Sequence, residues 1–367
     1  MAGDQAQLVD AYCHGILPGD LGLGAFEAQL PGTAAPHTTL FDSPTGFAVR
    51  RWCPPLLGLE PHCAPARYLA RRRELGAYEA ARLLLRGTGI DAYLVDTGEP
   101  GDLTPPKELG AAGAARAYEI VRLEPLAQQV ADTSGTVDGF LANLAEAVHG
   151  AALSAVGFSA VGFHGAGPEG PDGGEPGPPG AGQVRYAAAE WLARRPVGAR
   201  PTDPVLLHHL LWNAVATGLP LSLRLPADGA GPRAAEGFLR ATSGLGTDVV
   251  LLPGEPHEGA AADLAAALPH VYVGLGGDPA PVLGRTPFGK VLYAGGAAAL
   301  PELYVTGARR FRAALDRLVE RRVDAGDWSS ADGHRVAALV GAANARRVYR
   351  LAEGRPDPRR SDSHADR

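Results

Sequence analysis

Cysteine and lysine are nearly absent from this chain, and each shortage closes off a class of explanation. Cys13, Cys53 and Cys63 are the only cysteines in 367 residues. They are too few and too scattered for a disulfide framework, and none stands in a CxxC metal knuckle. Lys107 and Lys290 are the only lysines among 34 basic residues. With the abundance of Ala, Gly and Pro, that bias toward arginine reflects a GC-rich genome rather than a function. The basic excess of a nucleic-acid binder is also missing, since the formal net charge is −6 and the pI is near 6.0. No apolar run is long enough to span a bilayer, and no N-terminal stretch has the basic-then-apolar form of a signal peptide. The expectation is a soluble, cytoplasmic protein with no membrane or nucleic-acid partner. Nucleotide fingerprints (GxGxxG, GxxxxGK[ST]) are missing from any strand–helix context, and so is a Gly-x-Ser-x-Gly elbow.

What is present is a large core and a regular alternation. Hydrophobic residues make up 46% and charged residues 20% of the chain, enough for a sizeable core, and 367 residues fit one large barrel or two ordinary domains. Short, continuous apolar runs read as strands at Leu8–His14, Ile90–Asp96, Tyr118–Glu124, Val156–Phe163, Leu219–Leu225, Asp248–Leu252, His270–Leu275 and Lys290–Tyr293. Helical periodicity fills the intervals, notably over Pro65–Arg86, Lys107–Ala117, Val137–Leu153, Asp203–Thr217, Glu258–Leu268 and Pro301–Val323. Runs without polar alternation suit parallel strands buried on both faces. A single (β/α)8 TIM barrel spanning residues 1–351 is the economical fold, with an open doubly wound sheet as the alternative. Residues 15–63 read as a long first loop, 165–182 as a mobile Gly/Pro-rich loop and 352–367 as a disordered tail.

Several stretches together resemble the amidohydrolase-related (amidohydrolase-2) family. They are Val9-Asp-Ala-Tyr-Cys-His-Gly15, Gly46-Phe-Ala-Val-Arg-Arg-Trp-Cys-Pro54, Tyr93-Leu-Val-Asp-Thr-Gly98, Glu119-Ile-Val-Arg-Leu-Glu124, Asp203-Pro-Val-Leu-Leu207 with Leu211-Trp212, Pro287-Phe-Gly-Lys-Val-Leu292, Pro301-Glu-Leu303 and Asn344-Ala-Arg-Arg-Val-Tyr349. The branch they are most similar to is the bacterial one related to the amidohydrolase domain fused to glutamine-synthetase-like proteins. Such a family implies a metal-dependent-hydrolase barrel, with ligands at the strand ends holding a zinc-like ion that activates water and polarises a carbonyl. It also implies an Asp-x-His-x-His on strand one, Lys on strand four, His on strands five and six and a catalytic Asp on strand eight.

This chain departs from that pattern at most of these positions. It carries Tyr12 for the first His, Ser159 for the Lys, Arg224 and Pro253 for the histidines and Gly296 for the Asp. Even an outer-shell loss costs roughly 10–100-fold in affinity or activity, so replacing these ligand and catalytic positions together reads as a pseudoenzyme. The expected role is small-molecule binding or scaffolding, with no cofactor, for a small-molecule or protein partner and with a homodimer as one form. The alternative is a hydrolase or decarboxylase acting on an amide, lactone or carboxylate, through one Zn or Mn held by His14 and Glu124 or through metal-free acid/base chemistry.

The candidate ligand-binding residues are His14, Glu124, His164 and Arg224. His14, Glu124 and Arg224 are also the catalytic candidates, and a Glu124–Arg224 ion pair is one expected arrangement. Each has a structural reading beside the functional one: a bonded mouth histidine, an ion pair, a loop histidine. Cys13 should face away from Tyr12 and His14 as a small core residue. His208 and His209 sit mid-helix, Arg50 and Arg51 lie in the first loop, and His257 has Pro253 and Pro256 against it as a substitute ligand.

Overall fold

A computed structural model describes residues 7–98, 101–161, 177–225 and 231–351. Eight parallel strands lie in chain order in one sheet. They are β1 Leu8–Cys13, β2 Ile90–Asp96, β3 Arg116–Arg122, β4 Gly157–Val161, β5 Leu221–Leu225, β6 Val249–Pro253, β7 Val271–Leu275 and β8 Val291–Tyr293. The ring closes just beyond β8. The Gly296 amide donates to the Tyr12 carbonyl (2.8 Å), the His14 amide to Ala297 (2.9 Å) and the Ala299 amide to Gly15 (3.0 Å). The fold is therefore a TIM barrel, its continuous apolar strands buried between an inner core and a ring of helices.

The barrel interior is filled from below. Val9, Ala11, Leu94, Ile120, Val250 and Leu292 point inward and meet Ala342, Ala345, Val348 and Tyr349 from the C-terminal helices. The Tyr349 hydroxyl pairs with Ser222 inside the barrel (2.8 Å), and the Asn344 amide donates to the Val291 and Phe288 carbonyls (2.8 Å each). With the interior filled from that end, attention falls on the end at the strands' C-termini, where barrel active sites lie.

The first segment is more ordered than its composition implies. Residues 15–63 hold a helix at Leu23–Glu27 and a longer one at Pro44–Leu56, capped by the Ser43 hydroxyl. Phe26, Phe41, Val49, Cys53 and Leu57 give it a core of its own against Tyr68, Leu300 and Val305. Pro54 and Pro55 sit in the last turn of the longer helix. The Arg50 carbonyl that the missing Pro54 amide would have taken accepts from the His62 amide at 2.6 Å. The proline pair read as a loop signal, yet the orphaned acceptor has a tertiary partner.

Two other expectations need correcting. The single helix over Pro65–Arg86 is two, Pro65–Leu75 and Ala77–Arg86, broken at Gly76, whose φ of 78° only glycine adopts cheaply. The third strand ends at Arg122, and a helix with no sequence-based expectation, Leu123–Thr133, follows at once. With no loop between them, the apolar run carries across the boundary. The signal that marks it is Glu124-Pro125 in the first helical turn. The 352–367 tail and most of the 165–182 loop lie outside the described residues, although helix Ala181–Arg194 begins before that loop was expected to end. No described helix is long and apolar enough to cross a membrane.

Candidate functional site

Tyr12 and His14 reach the barrel mouth from the end of β1, and Asp10 does not. The pairing register with β2 shifts between Asp10 and Cys13, so Ala11 and Tyr12 both face the interior and strict alternation is lost. Cys13 falls in the outer core, as expected, with its thiol against the Leu94 carbonyl (3.4 Å). Asp10 is pushed behind the wall. Its Oδ1 accepts from the Gly295 amide (2.7 Å) and the Tyr12 amide (3.3 Å), while Oδ2 is buried without a hydrogen-bond partner. Burial pushes its pKa up to about 7, against the two amide bonds that lower it.

Asp96, at the end of β2, is the centre of the mouth. Its Oδ2 accepts from the Tyr12 hydroxyl (2.5 Å), the Ser159 hydroxyl (2.6 Å) and Arg122 Nε (3.1 Å), and its Oδ1 from the Gly98 amide (2.7 Å). Arg122 Nη2 also donates to the Tyr12 oxygen (3.1 Å), so tyrosine, aspartate and guanidinium form a closed triangle. All four side chains are buried. Burial raises the Asp96 pKa, and the Arg122 charge, His14 and the two hydroxyls more than reverse it, leaving the carboxyl below its ordinary value. Burial and then the Asp96 charge push Tyr12 the other way, well above an ordinary phenol, so it stays protonated.

His14 stands beside Tyr12, ring edge to face at 5.2 Å, with Nδ1 3.1 Å from the Asp96 carbonyl. A carbonyl only accepts, so Nδ1 carries the proton and Nε2 is the lone-pair nitrogen of the neutral ring. The half-buried Arg224 places its guanidinium carbon 5.9 Å from the Tyr12 ring centroid. These three side chains line a cavity of about 310 Å³ at the barrel mouth. Its other walls are apolar, with Leu225, Leu252 and Leu275, or bare backbone at Gly274–Gly276 and Gly295–Gly296. Glycine is required at 295, because a Cβ there would lie 2.7 Å from Asp10 Oδ2 and 2.8 Å from the Tyr293 hydroxyl.

Glu124 was expected at a strand end facing this cavity. It sits instead in the first turn of helix Leu123–Thr133, where Oε1 accepts from the Val161 amide (2.7 Å) and Oε2 is buried without a hydrogen-bond partner. Burial raises its pKa, moderated by that amide bond. It does not line the cavity, and the mouth's buried acid–arginine pair is Asp96–Arg122 rather than Glu124–Arg224. His164 lies outside the described residues. His257 packs its ring against Gly231 and does not line the cavity. His208 packs against Trp212 and Phe238, and Arg50 pairs with Asp42 on the first segment.

The described residues do not fit a zinc-like ion. Of the described side chains lining the cavity, His14 alone is of a ligating type. Among the described residues no group of three or more His, Cys, Asp or Glu is placed to hold one. Asp96, the carboxylate bonded to Tyr12, has both oxygens committed to protein donors, one of them a guanidinium.

No family model matches the sequence, and no curated protein is similar to it at a significant level. Solved structures do match. A Lactobacillus casei ATCC 334 protein assigned as a metal-dependent hydrolase superposes with a TM-score of 0.79 at 19% identity, over 95% of this chain and 96% of that one. A uronate isomerase of Thermotoga maritima matches with a TM-score of 0.63 at 13% identity, over 94% of each chain. A glucuronate isomerase of Caulobacter crescentus gives 0.53 at 12%, over 96% of this chain and 93% of the other. At these identities the likeness establishes a shared fold from end to end, the barrel type seen in metal-dependent hydrolases and uronate isomerases, and leaves activity to the site itself.

Proposed function

We propose that this chain is an amidohydrolase-type barrel whose mouth binds a small molecule without a metal, a pseudoenzyme with respect to the hydrolysis its sequence resemblance implies. The observation that supports this most is the Tyr12–Asp96–Arg122–Ser159 network. Where the family pattern asks for ligands around an ion, this chain has two hydroxyls and a guanidinium gathered on one carboxylate. The guanidinium supplies a fixed positive charge that is not exchangeable and holds no water to activate. Among the described lining residues the polar side chains are Tyr12, His14 and Arg224, over apolar walls that suit binding.

Elemental analysis of untagged protein, before and after incubation with zinc and with manganese, tests the reading. The expected result is no stoichiometric retained metal. Near-stoichiometric metal that disappears in His14→Ala would overturn it and restore metal-dependent hydrolysis. A second reading, metal-free acid/base catalysis by His14 on an amide, lactone or carboxylate, is favoured by one observation. The Nδ1 bond to the Asp96 carbonyl fixes the tautomer in which Nε2 can take a proton. Turnover lost in His14→Asn would establish it.

A further inference from the structure

We propose that the carbonyl oxygens of Ala265, Leu268, Pro269 and Val271 form a monovalent-cation site, with the Lys290 ammonium as its built-in occupant. The site lies where β7 and β8 begin, at the opposite end of the barrel from the mouth, and is independent of what the mouth binds.

The backbone sets the oxygens first. Helix Glu258–Ala267 ends at Leu268, and β7 starts at Val271. The last carbonyls of a helix have no intrahelical donor and carry the negative end of its dipole. Here the chain turns so sharply into β7 that four carbonyls from this junction converge on one point. Lys290 closes the short turn Phe288–Lys290 before β8, its amide donating to the Pro287 carbonyl (2.9 Å). From there Nζ donates to the carbonyls of Ala265 (2.9 Å), Pro269 (3.0 Å) and Val271 (3.1 Å), and to that of Leu268. The Tyr272 ring adds a further face, its centroid 5.5 Å from Nζ. The Arg347 guanidinium also stands over that ring, at 5.6 Å, and is held by the Gly289 carbonyl and by Asn344 (3.4 Å).

Four acceptors are more than an ammonium needs. Its three N–H bonds cannot each serve one of four oxygens, so at least one is shared. A surplus of carbonyls around a point charge is how a backbone replaces the hydration shell of a monovalent ion.

The choice of residue supports the same reading. This chain uses lysine at only two of its 34 basic positions, and Lys290 is one of them. Where two neighbouring carbonyls need a cation, at Thr88 and Gly89, it uses the fork of Arg312. A planar guanidinium aims its donors outward in one plane and cannot sit at the centre of four oxygens, whereas a compact ammonium can.

Thermal unfolding of the full chain by circular dichroism, in lithium, choline, potassium and ammonium chloride at one ionic strength, tests this. Each variant is compared with wild type in the same salt. Lys290→Ala removes the ammonium and leaves room for an ion. It should lose about 5 °C in lithium or choline, the scale of a few charge-assisted bonds, and regain at least half of that in potassium or ammonium. Lys290→Met keeps the volume of the stem without the charge, and should lose as much and regain nothing. Lys290→Arg should melt below wild type in every salt. A Lys290→Ala deficit equal in all four salts would overturn the cation site, and Lys290→Arg as stable as wild type would overturn the argument for an ammonium. If Lys290→Ala is unfolded in lithium, refolding from urea supplies the comparison. Folding regained in ammonium or potassium supports the site, and folding in neither overturns it.

Discussion

Asp10 and Asp96 are both fully buried aspartates on neighbouring strands, and they carry opposite protonation tendencies. Asp96 faces the barrel mouth, where Arg122, Tyr12, Ser159 and the Gly98 amide hold it ionised below its ordinary pKa. Asp10 faces the outer wall, where two amides serve one oxygen and nothing serves the other, so its pKa rises to about 7. Burial penalises both charges alike. What separates them is first the Arg122 guanidinium within bonding distance of Asp96, and then His14 and the two hydroxyls beside it. The same residue type is thus a fixed anion on one side of the wall and a near-neutral acid on the other.

Breaking the Asp96 arrangement should have the largest effect. Arg122→Met leaves a buried carboxylate without its cation, and unfolding in urea should show a loss of roughly 3–5 kcal/mol. Asp96→Asn added to Arg122→Met should recover most of that loss. If the double variant is no better than the single one, the guanidinium was not compensating Asp96.

The Asp10 side makes a prediction about pH. Its folded pKa of about 7 lies above the ordinary 3.8, so its contribution is fully present below about pH 4 and declines as pH rises to about 7. A shift of that size corresponds to at most about 4 kcal/mol. Glu124 and Asp248, also raised by burial, add slopes of the same sign. Asp10→Asn should therefore flatten the fall in urea-derived stability between pH 4 and 7, and an unchanged slope would place the titration elsewhere.

A smaller effect probes the contact between the two regions. Gly295→Ala drives a methyl toward Asp10 Oδ2 and the Tyr293 hydroxyl, both under 3 Å from its position. Overpacking of this kind costs roughly 1–3 kcal/mol, read as a drop in Tm. The smallest change is expected for Ser159→Ala. Asp96 keeps the donors Tyr12, Arg122 and Gly98, so the loss should be about 1 kcal/mol.

How far the site was legible follows from which contacts are local. His14 and Arg224 were readable as mouth residues because each sits at the end of an apolar strand run. Tyr12, Ser159 and Pro253 were readable as departures from a ligand pattern for the same reason. Glu124 was misplaced by a strand boundary set two residues late, and that shift also hid Arg122 as the true strand end. Asp96 was visible as a strand-terminal acid, but nothing in its neighbourhood of sequence announces that its partners are Tyr12, Arg122 and Ser159, as far as 84 positions away. Asp10 turns away from the mouth in spite of its even spacing from Tyr12 and His14, because alternation holds only until the register shifts.

By itself the sequence determined the alternation of eight apolar strands with helices, and hence a barrel, because hydrophobic periodicity and turn residues act over a few positions. It also showed which residue types stand at the strand ends, since residue type needs no coordinates. Only the tertiary structure decided which acid meets which cation. That choice depends on stagger between strands, on one register shift in β1 and on the segment after β8 that closes the ring. These are long-range pairings whose energies are set by burial and distance, quantities that exist only once the barrel has closed.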